Sequence, residues 1–311
     1  KSAKETPLTC ALFVEILQEA GFPDGVVNLV HTTNSPAISS AVMSDPRLRK
    51  VSFTGSTAVG SALLAQSAPG VVNASMELGG DGPFLVLDDA DLDLAAEQAV
   101  ICKFRNAGQA CVAANRIIVH ESVADAFTER FLAATARLTV GNGFDAGTDI
   151  GPIISAAQRE LVGHLVEELR GADAELLLGG EPVPGDGYFF EPTVFRVDDT
   201  TADVTRKELF APIATIYRAS STEDALRFAN DTRYGLASYV FTKDVSRAIA
   251  VAERLEFGMV GINRGIMADP AASFGGVKSS GLGREGGHDG IREFLEPQYL
   301  ALTVDEAAAL R

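Results

Sequence analysis

Val51-Ser52-Phe53-Thr54-Gly55-Ser56-Thr57-Ala58-Val59-Gly60 passes from an apolar strand through a glycine turn straight into an Ala/Leu-rich helix. Such a turn aims backbone N–H groups and the positive helix end at whatever lies outside, which suits a phosphate. An ordinary tight turn gives the same pattern. Upstream, Thr6-Pro7 opens a helix, with a hydroxyl N-cap and proline at the first helical position. Leu12, Phe13, Ile16, Leu17 and Ala20 form its apolar stripe, Gly21 ends it, and Cys10 is expected in the core. Residues 26–30 read as a fully buried strand, and Ser35-Pro36 as the start of a second helix. Downstream, strands are expected over 71–78, 83–87 and 116–120, with helices over 91–105, 123–138 and 156–170. A second series follows, with strands near Leu176, 190–197, 213–217 and 238–241. This alternation predicts an α/β fold with a doubly wound parallel sheet and a second α/β domain.

Composition removes several function classes. The 311 residues carry a net charge of −16, which argues against nucleic acid or an anionic membrane as partner. No apolar run approaches the ~20 residues that span a bilayer, and no signal peptide is visible. Three cysteines without paired spacing indicate free thiols in a reducing compartment, hence a cytoplasmic location. Four scattered histidines give no metal site. The acidic run from Asp88 to Asp93 could suggest a cation site, but Asp91 to Asp93 more simply cap and charge a helix N-terminus. The glycine-rich stretch 273–287 is expected to bend sharply or approach another surface rather than form a packed element. Residues 298–304 read as an exposed strand available to a second subunit.

Two pieces between these elements carry chemistry. Glu77-Leu78-Gly79-Gly80 puts a carboxylate at a glycine-flanked turn. Arg105-Asn106-Ala107-Gly108-Gln109-Ala110-Cys111 puts a lone thiol in a loop of small residues. Cysteine is more often core than nucleophile, but small polar neighbours are a poor setting for hydrophobic packing. A thiol that attacks a carbonyl, with a carboxylate that activates water to release the acyl group, would need this pair.

The pair resembles the active-site signatures of the NAD(P)-dependent aldehyde dehydrogenase family, and the likeness covers essentially the whole chain. It implies a Rossmann-like cofactor domain over 1–79, a catalytic domain over 80–280, and a return segment with an oligomerisation strand over 281–311. By the resemblance, Cys111 forms a thiohemiacetal that becomes a thioester as hydride passes to nicotinamide, and Glu77 activates the deacylating water. Gly55, Ser56, Leu78 and Gly79 would border the cofactor, with Ser56 on the pyrophosphate. Glu208 would hold the nicotinamide ribose, Phe210 would pack on the ring, and Lys1 would meet the adenine ribose. Lys4, where NAD-selective relatives often have glutamate, favours NADP over NAD. Glu285 matches a glutamate proposed to relay protons. The branch most similar is succinate-semialdehyde dehydrogenase, in which the arginine matching Arg105 grips the distal carboxylate of a small aldehyde. A structural salt bridge is the other role for Arg105. A homodimer or homotetramer is implied.

Departures from the family pattern matter as well. Ala268 replaces a serine that helps hold the carboxylate, Ser273 a proline, Ala211 a glycine, and Asp81-Gly82 an asparagine-containing pair. Ala113 stands where some relatives have a second cysteine. The family also has a segment ahead of Lys1 with an oxyanion-hole asparagine, so one alternative is a truncated, catalytically incompetent member that at most binds nucleotide or serves assembly. Another is a CoA-acylating semialdehyde dehydrogenase.

Overall fold

The structure, a computed structural model, describes residues 1–303. In chain order the first elements are α1 (Pro7–Glu19), α2 (Ser35–Met43), β1 (Lys50–Thr54), α3 (Thr57–Ser67) and β2 (Asn73–Glu77). Next come β3 (Gly82–Val86), α4 (Leu92–Phe104), β4 (Ala114–His120), α5 (Ala124–Thr135) and α6 (Ala156–Gly171). There follow β5 (Glu175–Leu178), β6 (Thr193–Arg196), β7 (Ile213–Ala219) and α7 (Thr222–Asn230). The last are β8 (Ala237–Phe241), α8 (Val245–Ala252), β9 (Met259–Ile262) and β10 (Gly281–Leu282).

The strands form two sheets. Seven stand in the order β5-β6-β7-β4-β3-β8-β9, parallel throughout except for the β5–β6 pair. Every residue of β3 and β8 is buried, as expected for strands covered by helices on both faces. Phe84 of β3 stacks on Phe241 at 4.5 Å, and Phe104 of α4 on Phe131 of α5 at 6.1 Å. On α6, Val162, Leu165, Val166 and Leu169 recur at helical spacing and form its buried face. Asp91 caps α4 by accepting from the Leu94 N–H at 3.2 Å, as the sequence suggests, whereas Asp88 and Asp89 pair with Arg247. Among the described residues no cluster of metal-ligating side chains occurs, and no helix is long and apolar enough to cross a membrane.

The smaller sheet is β1-β2-β10, with β1 and β2 parallel from Lys50↔Asn73 to Thr54↔Glu77. β10 corrects the expectation that the glycine-rich stretch contains no packed element. It runs antiparallel to β2, pairing Gly281 with Glu77, and Gly275, Gly276, Ser280 and Gly281 are all buried. The contact needs glycine: a Cβ on Gly281 would lie 1.8 Å from the Met76 carbonyl oxygen, and its φ is +135°. Glu293 fastens the same return segment by accepting from the Ser75 hydroxyl at 3.2 Å and the Arg284 N–H at 3.2 Å.

Other expectations near the ends fail. Residues 26–30 form no strand, and Val26 and Val30 are 60% and 42% exposed. A buried strand needs neighbours for its N–H and C=O groups, and the bond from the Ser2 N–H to the Val30 oxygen is no ladder. The α1 stripe is likewise uncovered, with Leu12, Phe13 and Ile16 half or more exposed and Cys10 only partly buried. Thr6 makes no side-chain cap, although Pro7 does open the helix; α2 does start at Ser35, with Asn34 as its cap. Residues 298–303, expected to pair with a second subunit, are exposed and pair with no strand among the described residues, and Val304 lies outside the described residues.

Replacing Gly281 by alanine is expected to destabilise the protein by at least ~1–3 kcal/mol through backbone strain. The urea midpoint should fall with the m-value unchanged. An unaltered midpoint would mean that β10 does not belong to this sheet.

Candidate active site

Parallel strands of an open sheet bring their C-terminal ends to one edge, where ligands of such folds bind. β1 ends there in Thr54-Gly55-Ser56 and β2 in Glu77, with the Gly55 N–H donating to the Glu77 carbonyl at 3.0 Å. Ser56 caps α3, its hydroxyl accepting from the Val59 N–H at 3.4 Å. The chain past Glu77 is held from the far end of the sequence. The Leu78 N–H donates to the Ser280 carbonyl at 2.9 Å, and the Ser280 hydroxyl donates to the Gly79 carbonyl at 2.7 Å.

Gly79 and Gly80 have a steric reason to be glycine. A Cβ on Gly79 would fall 2.4 Å from Glu208 Oε2, and one on Gly80 2.1 Å from the Cys111 carbonyl oxygen. The Gly80 N–H donates to Glu208 Oε1 at 3.0 Å. Three segments distant in sequence therefore meet within van der Waals contact: the β2 exit, the Cys111 loop and the Lys207-Glu208-Leu209-Phe210 stretch.

The Cys111 loop begins where α4 stops. Asn106 and Ala107 adopt left-handed backbone at φ 56° and 55°, followed by Gly108 at φ 69°. Consecutive left-handed residues are unfavourable for L-amino acids, so tertiary contacts must fix them. The Asn106 side chain donates to the Gln109 carbonyl at 2.9 Å, and the Gln109 amide returns a bond to the Asn106 carbonyl at 3.1 Å. Gln109 Oε1 also accepts from the Ile154 N–H at 3.0 Å. Beyond the cysteine, the Tyr239 hydroxyl donates to the Val112 carbonyl at 2.6 Å. Asn106 and Gln109 thus shape the loop that carries the thiol.

One cavity of about 660 Å³ gathers Gly55, Ser56, Glu77, Leu78, Gly79, Arg105, Cys111, Glu208 and Phe210. Lys1, Lys4 and Glu285 are exposed and do not border it; Lys4 pairs with Glu5 at 3.2 Å. Arg105 borders the cavity and forms no ion pair among the described residues. Sequence reasoning missed Gln158, Leu161, Ile266 and Met267 on the cavity wall. Gln158 continues the line of the buried α6 face one turn before Val162, and Leu161 lies on its flank; both precede the buried residues, and nothing in the pattern distinguishes a cavity wall from the end of a packed face.

The electrostatics of the cavity are those of acid–base groups. Glu77 is 5% exposed, and neither of its carboxylate oxygens has a hydrogen-bond partner. Burial, and then the Glu285 carboxylate, lift its pKa to about 7 against an opposing pull from Arg284. Burial also pushes the Cys111 thiol up to about 11, assisted by the negative charges of Glu77 and Glu208. Glu208 is itself raised by burial. At neutral pH the site therefore holds a protonated thiol and a carboxylate balanced between its two forms.

Comparison with known proteins follows the same lines. The profile described as "Aldehyde dehydrogenase family" matches residues 1–300. A succinate-semialdehyde dehydrogenase of Paenarthrobacter nicotinovorans is 47% identical over 302 residues, covering 97% of this chain and 67% of the relative. The NADP(+) succinate-semialdehyde dehydrogenase of Escherichia coli is 43% identical over 303 residues, covering 97% and 62%. The crystal structure of succinate-semialdehyde dehydrogenase from Burkholderia pseudomallei superposes with a TM-score of 0.91 at 46% identity, over 94% of this chain and 60% of that one. The chain thus spans 60–67% of the length of these relatives.

Because the Glu77 charge adds to burial in holding the thiol protonated, Glu77→Gln should lower the Cys111 pKa. Each unit of that drop is tenfold in thiolate below the midpoint. Iodoacetamide at pH ~9 should then alkylate Cys111 severalfold faster in the variant. Equal rates would separate the two groups electrostatically.

Proposed function

The chain belongs to the aldehyde dehydrogenase family, and from that membership we propose that it oxidises a small aldehyde bearing a distal carboxylate, such as succinate semialdehyde, with NADP or NAD. The observation that carries this reading is one cavity that presents a thiol, a carboxylate and a guanidinium, the last two without hydrogen-bond or ion-pair partners, respectively, among the described residues.

The site also fits a nicotinamide cofactor by its own features. Gly79 leaves room against Glu208 that any side chain would fill, and the Gly55-Ser56 turn opens α3 on the same cavity. Glu208 and Phe210 would hold the nicotinamide end, and Gly55, Ser56, Leu78 and Gly79 the wall beside it. Phe210 is held at φ +44°, with its carbonyl accepting from the Gln158 amide at 3.4 Å. Lys1 and Lys4 remain candidates for the adenosine end, with Lys4 engaged to Glu5. The bound cofactor supplies the two-electron acceptor for hydride.

The chemistry then falls to the chain's own residues. Glu77 near 7 is matched to neutral pH for taking a proton from water, whereas the Cys111 thiol, at about 11, gives its proton to solvent before it attacks. The thiolate sulfur adds to the aldehyde carbon to give the thiohemiacetal oxyanion, which collapses to a thioester as hydride would pass to the bound cofactor. Glu77 next removes a proton from water as its oxygen adds to the thioester carbon, and the acid departs as the sulfur regains a proton. Arg105 is suited to the distal carboxylate, since a guanidinium fork matches it by paired charge-assisted bonds. Glu285, whose N–H and carbonyl both bond to Phe274 at 2.7 Å, influences Glu77 through its charge and could pass protons outward. The exposed Phe294, Leu295, Tyr299 and Leu300 support pairing with a second copy of the chain.

Steady-state kinetics test the reading. Charge-assisted bonds contribute ~1.5–3 kcal/mol each, so Arg105→Met should raise KM for succinate semialdehyde roughly 10- to 150-fold. KM for an uncharged aldehyde of similar length should stay within about twofold, a difference well under 1 kcal/mol. Equal losses on both aldehydes would contradict the carboxylate role, and absence of cofactor reduction with either would contradict the activity.

A further inference from the structure

Lys103 is a buried charge with no role in the chemistry above. It stands in the last turn of α4 and is 0% exposed. Among the described residues its ammonium makes one hydrogen bond, to Asn115 Oδ1 at 2.9 Å, and no ion pair. The neighbouring carboxylate, Asp81, is engaged by Arg116 at 2.9 Å. An ammonium taken out of water with one acceptor is unfavourable for folding. Burial pulls its pKa down to about 7, against the charges of Cys102, Asp81 and Glu208 on its sides. The fold gains little from such a group, whereas its placement is specific.

Lys103 and Asn115, the second residue of β4, stand at the two ends of the loop 105–113 that carries Cys111. The left-handed turn in this loop packs on the lysine's own backbone. A Cβ on Gly108 would lie 3.1 Å from the Lys103 carbonyl oxygen and 2.1 Å from that of Ala211. The Cys111 carbonyl in turn abuts Gly80. We propose that Lys103 is a positioning residue: its bond to Asn115 closes the base of the nucleophile loop and so sets where the Cys111 thiol stands relative to Glu77 and Glu208. The proposal rests on Cys111 being the nucleophile, yet its test needs no turnover, so a chain that oxidised no aldehyde would still answer it.

The readout is the rate of Cys111 alkylation by iodoacetamide against pH, followed by peptide mass spectrometry on the 311-residue chain, with buried Cys102 as internal control. In Lys103→Met the loop loses its closure and the thiol moves out of the field that raises its pKa. The alkylation midpoint should fall by about one unit, making Cys111 roughly tenfold more reactive at a fixed pH below it. Cys102 should stay protected. Asn115→Leu, which opens the same bond from the other side, should give the same shift, and the double variant no more than either alone. A Cys111 profile that superimposes on wild type overturns the proposal. So does parallel exposure of Cys102, which would mark general loosening, or additivity of the two substitutions.

Discussion

The site depends on a close approach that only Gly79 and Gly80 permit. The chain leaving β2 runs so near the Glu208 carboxylate and the Cys111 carbonyl that a methyl group on either glycine would overlap them. Glu77 is placed by the strand, Cys111 by its loop and Glu208 by a third segment, and this contact brings the three into one cavity. Gly281 repeats the device behind β2 with its 1.8 Å approach to the Met76 carbonyl. The β2 exit is therefore gripped on both sides, by the catalytic segments in front and by the returning chain behind.

Beneath that contact lies a buried polar layer. Arg116 pairs with Asp81 at 2.9 Å, stacks over Phe228 at 5.1 Å, and donates to the Phe228 and Ala229 carbonyls at 2.6 and 3.0 Å. A buried ion pair is weak evidence for stability in itself, because desolvation offsets attraction. Satisfying the remaining donors with carbonyls joins the residue after Gly80 to β4 and α7. The same layer includes Lys103 and Asn115, so the floor of the site is polar while its surroundings are apolar.

How much of this the sequence revealed follows from the range of the forces involved. The Gly55-Ser56 turn, the Asp91 cap and the helix α6 are set by neighbours within a few residues, and all three read correctly. Glu77 and Cys111 were legible because their motifs carry glycines and small residues where packing would call for larger ones. Residues 26–30 and the α1 stripe have the apolar pattern of buried elements, yet pattern cannot report whether a covering surface is present. Lys103 looked like an ordinary basic residue near a helix C-terminus, where the dipole welcomes a cation. Its burial comes from strands and loops far along the chain. Lys4, expected near a phosphate, pairs with the adjacent Glu5 at the surface, a contact that the neighbouring residue supplies.

The central claim is that Cys111 takes the acyl group and Glu77 releases it. The thiol lies well above neutrality and the carboxylate near it, which suits the two residues to different steps. The most direct measurement is the mass of the Glu77→Gln protein after incubation with succinate semialdehyde and NADP, followed by mapping of the modified peptide. The account predicts an acyl adduct that accumulates on Cys111 because its release is slowed. An adduct on another residue, or none on Cys111 while cofactor is still reduced, would contradict it.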